Sequence, residues 1–170
     1  MPGAAAYGAG QPTIISNLPH SNPSRRSYES DGEAVPTAAV PPASFRPGTR
    51  VVIAEDDRVS QAVLTMILQK LGLEVHVASD GMEALELIRE VCPVLVMMDM
   101  QMPRMDGSEV VRALRTDTCG PQPSVVVLSA NRLSLAQEEE LGRLGVADFL
   151  LKPVNRSRLQ GVLLQLLPKA

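Results

Sequence analysis

Ligands for a soft metal are scarce in this chain. It has two cysteines, Cys92 and Cys119, without CxxC spacing, and two histidines, His20 and His76, far from both. That excludes a Cys/His metal cage, and free thiols suit a reducing cytoplasm. Aromatics are equally few: no Trp, two Tyr and two Phe, in a chain of net charge -3 and pI near 5.4. No basic stripe interleaved with aromatics exists, so a nucleic-acid surface is not expected. No apolar run reaches the roughly 18 residues of a membrane span. The first residues have neither a basic start with an apolar core nor a small-residue cleavage site, so no signal peptide is predicted. Proline is present but lopsided, with eight of 14 in residues 1–48. That stretch has few large apolar side chains and no helical or strand period. It cannot bury enough surface to offset its ordering entropy, and a disordered tail or linker over 1–48 is expected, followed by one domain over 49–170.

From residue 50 the pattern alternates between short apolar runs and amphipathic stretches. RVVIA (50–54), EVHVA (74–78), VLVMM (94–98), SVVVLSA (124–130) and ADFLL (147–151) read as strands. The third and fourth are apolar almost throughout, as in strands covered on both faces of a parallel sheet. Helices are predicted over 60–72, with Val63, Leu64, Ile67, Leu68 and Leu71 on one face, and over 80–91, with Leu87, Ile88 and Val91 inward. Others follow over 106–115, over 134–145 with Leu135, Leu141 and Leu144 inward, and over 155–167. Asp80 with Glu83 and Asp106 with Glu109 have capping-box spacing. Five strand–helix units predict a doubly wound α/β domain with a five-stranded parallel sheet. In such sheets ligands bind outside the carboxyl ends of the strands, where the winding reverses.

Polar groups gather at those ends: Glu55 and Asp56 after strand one, Asp99 after strand three, Ser129 after strand four and Lys152 after strand five. Clustered carboxylates repel by roughly 4 kcal/mol per pair at 4 Å in a protein-surface dielectric. A hard divalent cation with oxygen ligands relieves this, and Mg2+ suits an open site of few carboxylates. An aspartate is also a nucleophile toward phosphorus, giving an aspartyl phosphate. A metal, a lysine and a hydroxyl would then hold the charge of the phosphoryl oxygens. Taken singly, Lys before Pro is usually a turn, Ser at a strand end a cap, and Asp before a loop solvated. Independent features of that kind would not all fall on one edge of the sheet.

EDD at 55–57, MDMQMPRMDG at 98–107, LSAN at 128–131 and DFLLKP at 148–153 together resemble, in order and spacing, the receiver domain of two-component response regulators. The resemblance covers about residues 50–168. It implies a flavodoxin-like fold in which Asp99 accepts a phosphoryl group from a histidine kinase or histidine phosphotransfer protein. It further implies that Glu55, Asp56, Asp99 and the backbone carbonyl of Gln101 hold Mg2+. Ser129 is then the hydroxyl that turns toward the phosphoryl group, Lys152 the charge partner, Lys152-Pro153 a cis peptide, and Phe149 the switch aromatic, unless it is simply a core side chain. Gln101 and Asn131 correspond to positions that tune loss of the phosphoryl group to water. The responding surface, which meets a downstream protein target, corresponds to residues 134–167. Departures from the commonest pattern are Glu55 for Asp and Phe149 for Tyr, which lacks a hydroxyl. Asp57 falls where the family varies and is expected to be solvated.

Three other classes fit less well. A phosphohydrolase of the haloacid dehalogenase kind needs a second acid two residues after its nucleophile, where this chain has Gln101. A nucleotide-binding module needs a glycine-rich turn after strand one, and EDDRVS has no glycine. A docking module that is never phosphorylated would not need all five functional positions filled. The proline-rich segment resembles an interdomain linker, as before the terminal receiver of a hybrid sensor kinase, whereas Met1 suits a single-domain regulator.

Overall fold

A computed structural model describes residues 45–117 and 120–170. The tail expectation for residues 1–44 and the thiol of Cys119 lie outside the described residues. The element order is β1 (Arg50–Ala54), α1 (Arg58–Lys70), β2 (Glu74–Ala78), α2 (Gly81–Val91), β3 (Leu95–Asp99), α3 (Gly107–Thr116), β4 (Ser124–Ser129), α4 (Leu135–Arg143), β5 (Val146–Leu151) and α5 (Arg156–Leu166). All strand pairs are parallel, in the order β2-β1-β3-β4-β5. The five apolar runs become the five strands, and the flavodoxin-like fold is the one expected.

Alternation along each strand builds two cores. Val52, Ala54, Val96, Met98, Val125 and Val127 face α2, α3 and α4, where Ala84, Ile88, Val110, Val111, Leu114 and Leu141 meet them. Val51, Ile53, Leu95, Met97, Val126 and Leu128 face α1 and α5 and meet Leu64, Leu68, Leu159, Val162 and Leu163. Successive strand residues point to opposite sides, so β3 has no solvent face and every one of its residues is buried. Each large side chain so buried contributes about 1.5–3 kcal/mol of transfer free energy.

Several expectations need correction. α1 begins at Arg58, two residues before the expected Ser60, because the Asp57 carboxylate accepts the Ser60 N–H at 2.7 Å and caps the helix. Asp57 is exposed, as expected, but it is a cap. Val63 is 50% exposed and sits outside the core. With Val59 and Met66 it forms a separate i, i+4, i+7 stripe turned away from Leu64 and Leu68. Leu135, the first residue of α4, is also exposed, and Leu141 is the residue of that helix that is fully buried. Residues 45–48, which the composition assigned to the tail, lie on the domain. Phe45 is 4% exposed in the α1–α5 core and pairs antiparallel with Lys169. Among the described residues no helix is long and apolar enough to cross a membrane.

Candidate functional site

β1 is flanked by β2 on one side and β3 on the other, so the winding reverses between β1 and β3. The carboxyl ends of these two strands deliver Glu55 and Asp99. The Glu55 N–H donates to Ala78 O at 3.0 Å, extending the ladder one residue past β1 and fixing the side chain in the interior at 0% exposure. Asp99 closes β3 and is 4% exposed. Gly107 lies directly against it. A β-carbon on Gly107 would stand 2.3 Å from the Asp99 carbonyl oxygen, so only glycine lets the start of α3 approach the strand end this closely.

Lys152 ties the two acids together. Its Nζ donates to Asp99 Oδ2 at 2.8 Å and stands 2.6 Å from Glu55 Oε2. The remaining oxygens meet backbone: Asp99 Oδ1 accepts the Gln101 N–H at 3.0 Å, and Glu55 Oε1 accepts the Asp57 N–H at 3.2 Å. Glu55 Oε2, although ion-paired, has no aligned hydrogen bond and no access to solvent. Asp56 is exposed and completes a set in which Glu55, Asp56 and Asp99 each place an oxygen within 4.8 Å of the others. Two carboxylates therefore share one ammonium, and a third stands beside them.

The electrostatics follow from burial and count. Burial pushes the Glu55 carboxyl above its usual range, and the charge of Asp99 adds to this, against the opposing Lys152 and Asp57 N–H contacts. Burial works to lower Lys152, but its hydrogen bond to Asp99 and its close contact with Glu55 prevail and hold the ammonium above its usual range. A buried oxygen without an aligned donor, in a cluster of excess negative charge open to solvent at Asp56, is a donor set that suits a hard divalent cation.

Ser129 ends β4 and is 8% exposed, and its carbonyl accepts the Lys152 N–H at 2.9 Å. Its hydroxyl does not face Asp99. It donates to the Asn131 carbonyl at 2.7 Å, within its own loop. Phe149 is 2% exposed and belongs to the core between the sheet and α2, α3 and α4. Lys152-Pro153 is cis. Glu55, Asp56, Asp99, Gln101 and Lys152 are thus brought together. Ser129 is adjacent but turned to its loop, and Phe149 lies beneath in the core.

Two participants escaped the sequence reading. Asp57 supplies both the α1 cap and an N–H to Glu55, and the Asp57-to-Ser60 spacing was the available signal. The ion pair between Arg104 and Asp80 ties the β3–α3 loop to the start of α2 and has no local spacing that announces it.

Residues 51–164 match the response regulator receiver domain family. The chain belongs to that family. Among curated relatives, the Regulator of RpoS of Escherichia coli K12 is 38% identical over 108 residues, 64% of this chain and 31% of its own length. The DNA-binding response regulator MtrA of Mycobacterium tuberculosis H37Rv is 33% identical over 111 residues, 65% of this chain and 46% of its own. The chain thus spans about a third to a half of the length of these curated relatives. Two solved structures are similar over nearly their whole length. The chemotaxis protein CheY4 of Vibrio cholerae has a TM-score of 0.65 at 28% identity, covering 71% of this chain and 99% of that one. The receiver domain of the sensor histidine kinase PA1611 from Pseudomonas aeruginosa has a TM-score of 0.63 at 30% identity, covering 70% and 97%, and its structure has a magnesium ion coordinated in the active-site cleft. The receiver domain described here therefore has a signalling role within two-component systems.

Proposed function

We propose that Asp99 is the phosphoryl acceptor of this receiver domain and that a histidine kinase or histidine phosphotransfer protein is its donor. The observation that carries the reading is the placement of Asp99 at the sheet's switch point, with Lys152 Nζ 2.8 Å from its carboxylate and the acids Glu55 and Asp56 beside it. An Asp99 carboxylate oxygen attacks the phosphorus of a phosphohistidine; the new O–P bond forms as the N–P bond breaks, and the imidazole leaves with the electron pair. Lys152 holds the ammonium against the oxygen on which charge gathers. Glu55, Asp56, Asp99 and the Gln101 carbonyl are the groups that would hold Mg2+, which when bound neutralises charge on the phosphoryl oxygens. Once the phosphoryl group is in place, its oxygens are better acceptors than the Asn131 carbonyl, and the Ser129 hydroxyl turns to them. The population shifts to the arrangement that makes this bond, and residues 134–167 transmit the change to a protein target.

A donor protein reaching Asp99 also covers α1, which starts directly after the acid pair. The exposed Val59, Val63 and Met66 on that helix support this face as the donor contact. Cytoplasmic phosphorelay, in a hybrid kinase or in a single-domain regulator, is the setting we assign.

The test is incubation with Mg2+ and acetyl phosphate, with intact mass followed for the wild type and Asp99→Asn. Gain of one phosphoryl group in the wild type alone is expected. No gain in either protein, with Mg2+ binding also absent, leaves a docking module and overturns the reading. Val63→Glu separates the donor surface from the chemistry, since it slows transfer from a phosphorylated protein donor but leaves uptake from acetyl phosphate unchanged. A wild-type rate of transfer from the protein donor in Val63→Glu refutes the assignment of α1.

A further inference from the structure

The loop between β3 and α3, residues 100–106, carries the Gln101 backbone and is folded more tightly than its length requires. The Gly107 N–H closes it onto Met100 O at 3.2 Å. At its tip the Met105 N–H donates to Pro103 O at 2.8 Å across Arg104, whose φ is 66°. An i to i+2 hydrogen bond around a residue of positive φ is the rare and strained form of the γ-turn. Asparagine or glycine accepts such a φ more readily than a long side chain does. Something must hold arginine there.

Asp80 does. The Arg104 guanidinium meets Asp80 Oδ2, while Asp80 Oδ1 caps α2 by accepting the Glu83 N–H at 2.9 Å. The neighbouring residues interlock beside this pair. A β-carbon on Gly81 would lie 2.2 Å from Met105 O, so the loop rests directly on the first turn of α2. Asp80 is held well below the usual carboxylate range, first by Arg104 and then by the Glu83 N–H, so it stays charged at neutral pH. The Arg104 side chain is 64% exposed and that of Asp80 11%, so solvent screens the pair from the Arg104 side and its contribution to global stability is modest. Its effect is local, on a turn that is otherwise disfavoured.

We propose that the Arg104–Asp80 pair is a latch that keeps the strained turn closed and thereby positions the Gln101 backbone, so that Mg2+ affinity depends on two side chains that touch neither the metal nor the phosphoryl group. Both are positioning residues. The inference rests on the reading of Glu55, Asp56, Asp99 and Gln101 as the Mg2+ site.

The experiment titrates Mg2+ alone into the 15N-labelled full chain and follows the backbone amides of Met100 and Gln101. Asp80→Asn is chosen because asparagine caps a helix as well as aspartate does. Arg104→Gly suits the positive φ but cannot pair. Arg104→Ala and Asp80→Asn each raise the Mg2+ dissociation constant about tenfold, the scale seen when a group that orients a ligand is removed, and Arg104→Gly, which relieves the strain of the turn, raises it less. The double variant Asp80→Asn with Arg104→Ala is no weaker than either single one, since both remove the same interaction. Arg104→Lys, which keeps the charge, restores most of the affinity, and the urea midpoints of all variants stay near that of the wild type. Wild-type affinity in Arg104→Ala and Asp80→Asn overturns the latch, as do a loss in Arg104→Gly as large as that in Arg104→Ala and single effects that simply add. Absence of Mg2+ shifts in the wild type itself overturns the metal reading instead, and the latch with it.

Discussion

The site has two halves that differ in readiness. On the β1, β3 and β5 side, Glu55, Asp99 and Lys152 are buried or nearly so and locked together at 2.6 and 2.8 Å. On the β4 side, Ser129 spends its hydroxyl on the Asn131 carbonyl at 2.7 Å. On the proposed reading the first half is assembled before any phosphoryl group arrives, and its excess negative charge is held in place by the sheet. The second is satisfied locally and has something to gain by moving. A binding half that is prebuilt and a reporting half that is not is the arrangement a two-state switch requires, because a ligand shifts an equilibrium only by as much as it favours one state.

Breaking the prebuilt half has the largest consequence. Lys152→Ala leaves two buried carboxylates without their counter-charge, and the metal-free protein loses about 3 kcal/mol of unfolding free energy in a urea titration. Mg2+ acts on the same charge from outside. At about ten times its dissociation constant it stabilises the wild type by about 1.4 kcal/mol, and Asp99→Asn by less. The β4 half is worth less to the fold. Ser129→Ala removes one hydroxyl bond and changes stability by no more than about 1 kcal/mol, while lowering the rate of phosphoryl uptake.

The smallest effect has the opposite sign. Because the folded-state pKa of Glu55 is raised above its ordinary 4.5, this carboxyl supports the fold at low pH and ceases to do so as pH rises through the folded value. Glu55→Gln therefore raises the metal-free melting temperature at neutral pH and leaves it unchanged below the ordinary glutamate range. The Asp57 cap two residues on behaves in reverse. The Ser60 N–H and hydroxyl hold its carboxyl below the ordinary 3.8, so its contribution exists above that value and is lost on acidification. A neutral-pH melting temperature that falls in Glu55→Gln contradicts the claim that the acid half is overcharged.

How much of this was legible in the sequence depends on the range of the interaction. Strand runs such as VLVMM and the capping pair Asp106 and Glu109 are local patterns, and they mark β3 and α3 within a residue or so. The acids, the lysine and the serine were found because each follows a strand and the parallel topology brings strand ends together. Apolar side chains on helices misled. Val63 and Leu135 are apolar and near the core face, yet both are exposed, because periodicity gives a direction around a helix axis but not the width of the face that is covered. Phe45 was hidden by its proline-rich surroundings, and its place is set by Lys169 at the other end of the chain. The Arg104–Asp80 pair was equally out of reach, since it joins residues 24 apart through a turn whose φ no propensity would assign to arginine.

The most direct measurement is a crystal structure of the domain with Mg2+ and beryllofluoride, a mimic of the phosphoryl group on Asp99. The account predicts that Ser129 Oγ leaves the Asn131 carbonyl, now 2.7 Å away, and hydrogen-bonds to a fluorine on Asp99, while the Lys152 contact to the Asp99 side chain or its adduct persists. A Ser129 hydroxyl still seated on Asn131 with the fluoride bound would contradict it.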